Sequence, residues 1–143
     1  MNSKKTIVVV LGMIVNNKGK ILITKRFDPN ITKAHMLWDF PGGKNEFGET
    51  LEKTLKREIL EETGLKVKVQ NMFPLSVTKT WKHKDYLQHT IVFCYKCKMI
   101  KGKLSTKDPK ITEMKWEDIN KLSLYKFLPT TNRFIKYLKN ISQ

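Results

Sequence analysis

The sequence is short of cysteine and of long apolar runs, and each shortage excludes a class of protein. Only two of its 143 residues are cysteine, too few for a disulfide framework or a four-cysteine zinc site. Cys94 and Cys97 fall in a strand-like segment, where positions three apart face opposite sides, so we expect two ordinary reduced thiols. No segment approaches the roughly 20 apolar residues that span a bilayer, and no cleavage pattern follows the first apolar run. We therefore expect a cytoplasmic protein with no membrane partner.

Acidic residues are also scarce. Thirteen aspartates and glutamates stand against 28 lysines and arginines, which gives a net charge of +15. Such a charge predicts an anionic partner, with nucleotides, RNA and phosphorylated metabolites as the obvious classes. A general compositional bias toward lysine gives the same charge without any binding role, and both interpretations stay open.

The length and the apolar content of 40% predict one mixed α/β domain over residues 1–143, with a monomer as the favoured oligomeric state. Two strand-like runs flank a turn at Asn16 and Gly19, which indicates a β-hairpin. A helix is predicted from about Thr50 to Thr63, ending at Gly64.

Further strands are predicted over residues 66–81 and 87–100, followed by a short strand within 112–119. The tail, residues 128–141, has the pattern of an amphipathic helix with Thr131 or Asn132 at its N-cap. Its expected apolar side consists of Phe134, Ile135, Leu138 and Ile141.

Six of the thirteen acids fall between residues 43 and 65, in the first predicted helix and the loop before it. At about 100° per residue, Glu58 and Glu62 project within about 20° of the helix line that should face the core. A charge there without compensation costs several kcal/mol. A solvated helix face with pairs such as Arg57 and Glu61 is the ordinary alternative, but it leaves the two carboxylates on the apolar line unexplained.

A divalent cation is the simplest neutraliser of this glutamate cluster, because no lysine shares that side of the predicted helix. Oxygen ligands favour Mg2+ or Mn2+, and Mg2+ commonly shares its coordination shell with substrate phosphates. An acidic metal site in an otherwise basic protein therefore predicts phosphoryl chemistry on a polyphosphate.

The string GKNEFGETLEKTLKREILEETGL, residues 43–65, resembles the Nudix box, G-x5-E-x7-R-E-U-x-E-E-x-G-U with U apolar. All defined positions match: Gly43, Glu49, Arg57, Glu58, Ile59, Glu61, Glu62, Gly64 and Leu65. The resemblance implies an α/β/α sandwich in which a mixed sheet is flanked by helices and the box forms a loop, a helix and a loop. It also implies hydrolysis of a nucleoside diphosphate linked to a further moiety, with Mg2+ or Mn2+ as cofactor.

The same resemblance implies roles for individual residues. The metal ligands would be three carboxylates and one backbone carbonyl, those of Glu58, Glu61, Glu62 and Gly43. Glu58 would also be the catalytic base, and Arg57 would orient the carboxylates by pairing with Glu49. Lys44 would meet a phosphate group, with an exposed loop lysine as its plain alternative.

Three segments, ILITKR, LWDFPGGKNEFGET and LPTTNRFIKYL, resemble MutT-type members, which prefer 8-oxo-dGTP. That likeness implies that Arg26 contacts the nucleotide. It implies that Asn132 hydrogen-bonds the oxidised guanine edge, since an amide both donates and accepts. The pocket would be lined by Asp39, Phe40, Pro41 and Gly42. Residues 27–37 do not align with MutT, and Asp108 and Glu113 match imperfectly the further acidic ligand that a late loop often supplies.

The expected reaction is hydrolysis of a nucleoside triphosphate, 8-oxo-dGTP or a related (d)NTP, to the monophosphate and pyrophosphate. The alternatives are pyrophosphate removal from the 5′ end of RNA and hydrolysis of ADP-ribose or dinucleoside polyphosphates. A non-catalytic nucleotide-binding or RNA-binding module is the remote alternative from a different class.

Overall fold

A computed structural model describes residues 3–141, which form eight β-strands, two α-helices and one short 3₁₀ helix. Strands β1 to β8 are Ser3–Val15, Ile21–Arg26, Trp38–Asp39, Gly42–Lys44, Leu65–Met72, Val77–Lys82, Tyr86–Gly102 and Ile111–Glu117. The α-helices are α1, Leu51–Thr63, and α2, Pro129–Ile141, and the 3₁₀ helix is Ile119–Leu124.

The long strands β1 and β7 form the centre of one mixed sheet. They run parallel from the pair Ser3 and Tyr86 to the pair Val15 and Lys98. The strand order is β3, β2, β1, β7, β5, with β4 also paired to β1, β6 to β7 and β8 to β2. The hairpin predicted from the first two runs is confirmed, because β1 and β2 are antiparallel neighbours.

The two α-helices cover opposite faces of this sheet. Leu55 and Ile59 of α1 lie in one buried cluster with residues of β1, β5 and β7, whereas Phe134 and Ile135 of α2 lie in the other. Side chains alternate along a strand, so β1 and β7 supply both clusters. The α/β/α sandwich implied by the sequence resemblance is therefore confirmed.

The two cysteines follow the same alternation along β7. Cys94 belongs to the cluster under α2 and Cys97 to the cluster under α1. Both are buried free thiols, as predicted, and burial raises the pKa of Cys97 to about 12.

Helix α1 has the boundaries that its sequence indicates. The Thr50 hydroxyl accepts a hydrogen bond from the Lys53 amide, and Gly64 ends the helix with a φ of 76°. Ile59 packs so closely on Gly12 of β1 that a methyl group there would come within 2.9 Å of its Cδ1. This contact holds α1 against β1, next to strand β4, and so fixes where the glutamates of α1 begin.

Three sequence predictions about the remaining elements are wrong. Residues 66–81 form two strands rather than one, because the chain turns around Pro74, which has no amide hydrogen for the sheet. Helix α2 begins at Pro129, a favoured first helical residue, so Thr131 and Asn132 lie inside its first turn and not at an N-cap. Ile141, predicted on the apolar side, is 59% exposed. Within residues 3–141, no helix is long and apolar enough to cross a bilayer.

Candidate active site

Strand β4 brings the Gly43 backbone against helix α1. Gly43 pairs with Val10 of β1, and a methyl group at position 43 would come within 2.7 Å of Glu58 Cγ and closer still to its carboxylate. The missing side chain therefore leaves the space that the Glu58 carboxylate occupies. The Glu58 carboxylate and the Gly43 backbone therefore lie side by side, and both carry oxygen atoms of the kind that bind Mg2+.

Arg57 connects three acids through its guanidinium group. Nε lies 2.7 Å from Oε2 of Glu49 and Nη2 lies 2.8 Å from Oε1, so this pair is bidentate. Nη1 donates to Glu58 Oε1 at 2.8 Å and lies 3.5 Å from Glu61 Oε2. Hydrogen bonds from Arg57 lower the pKa of Glu49 to about 2, whereas burial raises the pKa of Glu58 against the opposing effect of Arg57.

Glu62 is the carboxylate that most needs a cation. Burial raises its pKa to about 8, and the negative charges of Glu58, Asp39 and Asp108 add to the effect. One stabilising contact is the Gly42 amide, which donates to Glu62 Oε1 at 3.0 Å. The negative charges of three neighbouring acids thus act on one largely buried carboxyl group, and a hard divalent cation bound beside it would relieve this repulsion.

The three box glutamates differ in exposure. Glu58 and Glu62 lean toward the sheet as the helical projection predicted, but the Glu61 side chain is 60% exposed. Arg57 pairs with Glu61, as the ordinary alternative expected, and it also supplies positive charge to Glu58, which was not expected from the sequence. Among residues 3–141, no three His, Cys, Asp or Glu side chains lie together in a group that could hold a metal ion. The carboxylates have the oxygen atoms that Mg2+ or Mn2+ prefers, but their side chains would have to draw closer together to bind either ion.

Two cavities open beside these residues. The first, which we call the acidic cavity, has a volume of about 90 Å³. Its wall includes Gly42, Gly43, Glu62, Asp108 and Lys110. The second, the central cavity, has a volume of about 110 Å³ and is lined on its far side by Ile31, Ala34, Trp81, Gln88, Thr90, Leu128 and Thr130. The two cavities share the walls Val9, Leu11, Arg26 and Asp39.

Arg26 and Asp39 form the polar part of the shared wall. Nη1 of Arg26 lies 3.7 Å from Asp39 Oδ2 and Nη2 lies 3.3 Å from Asp28 Oδ2. The Arg26 Nε atom is buried, with no hydrogen-bond partner among the residues that the structure describes. Asp39 is fully buried, and it accepts hydrogen bonds from the Thr131 hydroxyl and the Phe40 amide.

A comparison of the chain with known families decides its class. The NUDIX domain profile matches residues 5–138, which is nearly the whole chain. The chain belongs to the Nudix family. The cluster on α1 and its preceding loop, residues 43–65, is thus the Nudix box of this chain.

Individual relatives agree with this placement. An 8-oxo-dGTP diphosphatase of Haemophilus influenzae is 44% identical over 62 residues, 43% of this chain and 44% of the relative. An RNA pyrophosphohydrolase of a Wolbachia species is 34% identical over 84 residues, 58% of this chain and 46% of the relative. The crystal structure of a MutT protein from Methanosarcina mazei Go1 has a TM-score of 0.71 at 26% identity, covering 100% of this chain and 99% of that one. The matches span only 36% to 58% of the lengths of the first five curated relatives.

Of the other residues expected to contact the nucleotide, only some line the two cavities. Asp39 lines both cavities, and Phe40 lines the acidic cavity. Pro41 is buried, and its carbonyl accepts a hydrogen bond from the Gly12 amide at 2.8 Å. The Lys44 side chain is exposed at the end of β4 and lines neither cavity.

Asn132 is also exposed and lines neither cavity, whereas Thr130 lines the central one. These two residues are separated by about 200° around the helix axis, so they cannot face the same pocket. The earlier start of α2, at Pro129, is the physical reason for this difference from the expected arrangement.

Several cavity residues could not be identified from sequence. Asp108, one of two imperfect matches for a late-loop acid, lines the acidic cavity, whereas Glu113 is exposed on β8. Gln88 and Thr90 enter the central cavity from β7, and the Gln88 amide donates to the Thr90 hydroxyl at 3.0 Å. The alternation of β7 indicates that they share a face, but only the pairing with β6 shows that Trp81 lies opposite Gln88.

Proposed function

We propose that this protein is a metal-dependent pyrophosphohydrolase that converts a nucleoside triphosphate to the monophosphate and pyrophosphate. The substrate is 8-oxo-dGTP or a related (d)NTP, and the cofactor is Mg2+ or Mn2+. One observation carries the proposal: the acidic cavity, with Glu62 and Gly43 in its wall, adjoins the central cavity across Arg26 and Asp39. A nucleotide has the same two parts, a polyphosphate that needs cations and a nucleoside that needs a partly apolar pocket.

In this proposal the ligands of the ion are the box carboxylates and the Gly43 carbonyl. Glu62 is the innermost ligand, Glu58 lies over Gly43, and Glu61 approaches from the exposed side of α1. The bound ion neutralises polyphosphate oxygens and makes nearby water more acidic.

Glu58 is the proposed general base. Arg57 holds one of its oxygens, and its other oxygen, Oε2, lies over the Gly43 backbone, where it can accept a proton from water. Burial raises the pKa of Glu58, which moves this base toward neutral pH and makes it more effective there. Arg57 and Glu49 fix the orientation of the base without touching the substrate, so both are positioning residues.

At the other end of the substrate, Arg26 offers its partly exposed guanidinium group and Asp39 offers a largely buried carboxyl group. Lys110, in the wall of the acidic cavity, is available to the polyphosphate. Lys44 is a further phosphate contact if the exposed β4 end closes over the substrate.

A substrate panel tests the proposal. Purified protein with Mg2+ is incubated with dNTPs, 8-oxo-dGTP, ADP-ribose, a dinucleoside polyphosphate and triphosphorylated RNA, and the products are separated by chromatography. Release of pyrophosphate and a monophosphate, with the highest kcat/KM for 8-oxo-dGTP, supports the proposal. Tight binding without turnover of any compound, in either Mg2+ or Mn2+, would instead indicate a non-catalytic binding module.

Removal of pyrophosphate from the 5′ end of RNA is the second candidate. The net charge of +15 suits a polyanion, and an RNA pyrophosphohydrolase is among the relatives. Turnover of triphosphorylated RNA with a steep salt dependence, and indifference to free nucleotides, would favour this candidate over the first.

A further inference from the structure

A third depression lies beyond the central cavity and is distinctly basic. We call it the lysine groove, and its volume is about 290 Å³. Its lining residues are Asn30, Ile31, Thr32, Lys33, Lys79, Thr80, Trp81 and Lys82. None of these is acidic, and the amide and the two hydroxyls add hydrogen-bond donors to three ammonium groups. The groove therefore has the chemistry of a phosphate-binding site.

The lysine groove is continuous with the candidate nucleotide site. Ile31 and Trp81 line both the groove and the central cavity, so a ligand in one reaches the wall of the other. The acidic cavity adjoins the opposite end of the central cavity, through Arg26 and Asp39. The three depressions thus follow one another as an acidic end, a partly apolar centre and a basic end.

Lys79 is held at the junction of groove and central cavity. Its Nζ lies 4.9 Å from the centroid of the Trp81 ring, a cation–π distance. Lys79 shares a face of β6 with Trp81, two residues away, whereas Lys82 follows Trp81 directly and faces the other side of the strand, so the two lysines line the groove from opposite sides of β6. The positive charge is therefore placed next to the nucleoside position and away from the metal end.

We propose that Lys33, Lys79 and Lys82 bind a phosphate group attached to the ribose 3′ oxygen of the substrate. This inference rests on the proposed function, because it assumes that the 5′ polyphosphate occupies the acidic cavity and the nucleoside the central one. A phosphate at the basic end must then be attached beyond the nucleoside, and the 3′ oxygen is the position that carries phosphate in oligonucleotides and in 3′-phosphorylated nucleotides. The substrate class is thus a nucleoside 5′-polyphosphate that bears a 3′-phosphoryl substituent.

Binding of guanosine 3′,5′-bisphosphate and of guanosine 5′-monophosphate, measured by calorimetry in the presence of Mg2+, tests the groove directly. Neither compound has a pyrophosphate bond, so this readout does not depend on hydrolysis. We expect the bisphosphate to bind at least about tenfold more tightly to the wild-type protein, the effect of one or two charge-assisted hydrogen bonds. In the triple variant Lys33→Gln, Lys79→Gln, Lys82→Gln the preference should fall below about twofold, with affinity for the monophosphate retained.

A matched control separates the groove from the general charge of the protein, since a net charge of +15 attracts any extra phosphate. Lys96, Lys98 and Lys101 are exposed on β7 and line none of the three depressions. Their triple glutamine variant has the same net charge as the groove variant and should keep the tenfold preference. Because Lys79 packs on Trp81, the double variant Lys33→Gln, Lys82→Gln leaves that contact intact and should still lose most of the preference.

The outcomes separate this inference from the proposed function. An equal preference for the bisphosphate in the wild-type, groove-variant and control-variant proteins would contradict phosphate binding in the lysine groove. The absence of any preference in the wild type would contradict it too. Either result would stand even if the protein hydrolyses nucleoside triphosphates normally. A groove-dependent preference without any hydrolysis would overturn the proposed function alone. Values of kcat/KM, each compared with that of the unmodified nucleoside triphosphate, show whether the 3′ phosphate belongs to RNA or to a free nucleotide. A higher kcat/KM for a 5′-triphosphorylated dinucleotide alone indicates an RNA end. An equally higher kcat/KM for a nucleoside triphosphate with a 3′-phosphate indicates a free nucleotide as the substrate.

Discussion

The Glu58 carboxylate lies over the backbone of Gly43, in the space that any side chain at position 43 would fill. The two residues come from different elements, since Gly43 belongs to strand β4 and Glu58 to helix α1. Strand β1 joins them, because it pairs with β4 and packs under α1. The positions of the proposed base and of the proposed metal-binding carbonyl are thus set by the sheet and the helix rather than by a flexible loop.

The first prediction concerns this contact. Gly43→Ala introduces one methyl group that collides with Glu58 and displaces its carboxylate. We expect kcat to fall by about 100-fold, the effect of a misplaced catalytic group, while the circular dichroism spectrum stays unchanged. Steady-state kinetics on the preferred nucleotide are the measurement. Wild-type kcat in a folded Gly43→Ala protein would show that Glu58 need not occupy this position.

The second prediction concerns the Arg57 fork. Arg57→Lys replaces the bidentate contact to Glu49 by a single ammonium group and releases Glu58, so kcat should fall about 10- to 100-fold with KM nearly unchanged. Lys53→Gln, an exposed charge change on the same helix, is the control and should leave both parameters unaltered. A rise in KM with unchanged kcat would mean that Arg57 contacts substrate and does not position the base.

The Nudix box shows why some of this site could be predicted from sequence. Helix limits follow from local signals such as Thr50 and Gly64, and the inward side of Glu58 and Glu62 follows from helical periodicity. Position within a helix does not show how a long side chain turns, however. Arg57 projects away from the core line, yet its guanidinium group reaches back to Glu58, which a helical projection cannot show.

The third prediction is a pH dependence of stability in metal-free protein. The pKa of Glu62 is raised from 4.5 to about 8, so between these values the folded state holds a proton that the unfolded state has released. The free energy of unfolding should therefore decrease as pH rises through this window. Glutamine at position 62 cannot ionise. The melting temperature of Glu62→Gln minus that of the wild type, both measured in EDTA, should therefore increase by about 5 °C from pH 5 to pH 8.

Addition of Mg2+ at pH 8 should reverse this difference, because the ion stabilises only the protein with an ionised Glu62. Parallel melting curves of the two proteins across the whole pH range would contradict the assignment of Glu62 as the buried acid.

The fourth prediction compares two residues of α2. Thr130 lines the central cavity and Asn132 is exposed outside it, so Thr130→Val should raise KM about tenfold, whereas Asn132→Ala should have the smaller effect. Steady-state kinetics of both variants on 8-oxo-dGTP are the measurement. A larger rise in KM for Asn132→Ala would mean that α2 turns toward the nucleotide when substrate binds.

The central cavity could not be assembled from sequence because its walls come from separate parts of the chain. Trp81 and Gln88 face each other only through the register of β6 on β7, and Leu128 and Thr130 come from the start of α2. Registers of distant strands are set by packing over the whole sheet. The likeness to MutT-type sequences named Arg26 and Asp39, which the structure brings together in one cavity wall, and it gave no indication of the lysine groove.

The most direct test of the account is the turnover of 8-oxo-dGTP by Glu62→Gln in saturating Mg2+. Glutamine keeps the shape of glutamate and can still pair with the Gly42 amide, so the fold should survive with an unchanged circular dichroism spectrum. We predict that kcat falls by about 1000-fold or more, because the innermost anionic ligand of the ion is lost. A folded Glu62→Gln protein that hydrolyses nucleotides at the wild-type rate would contradict the metal-dependent mechanism.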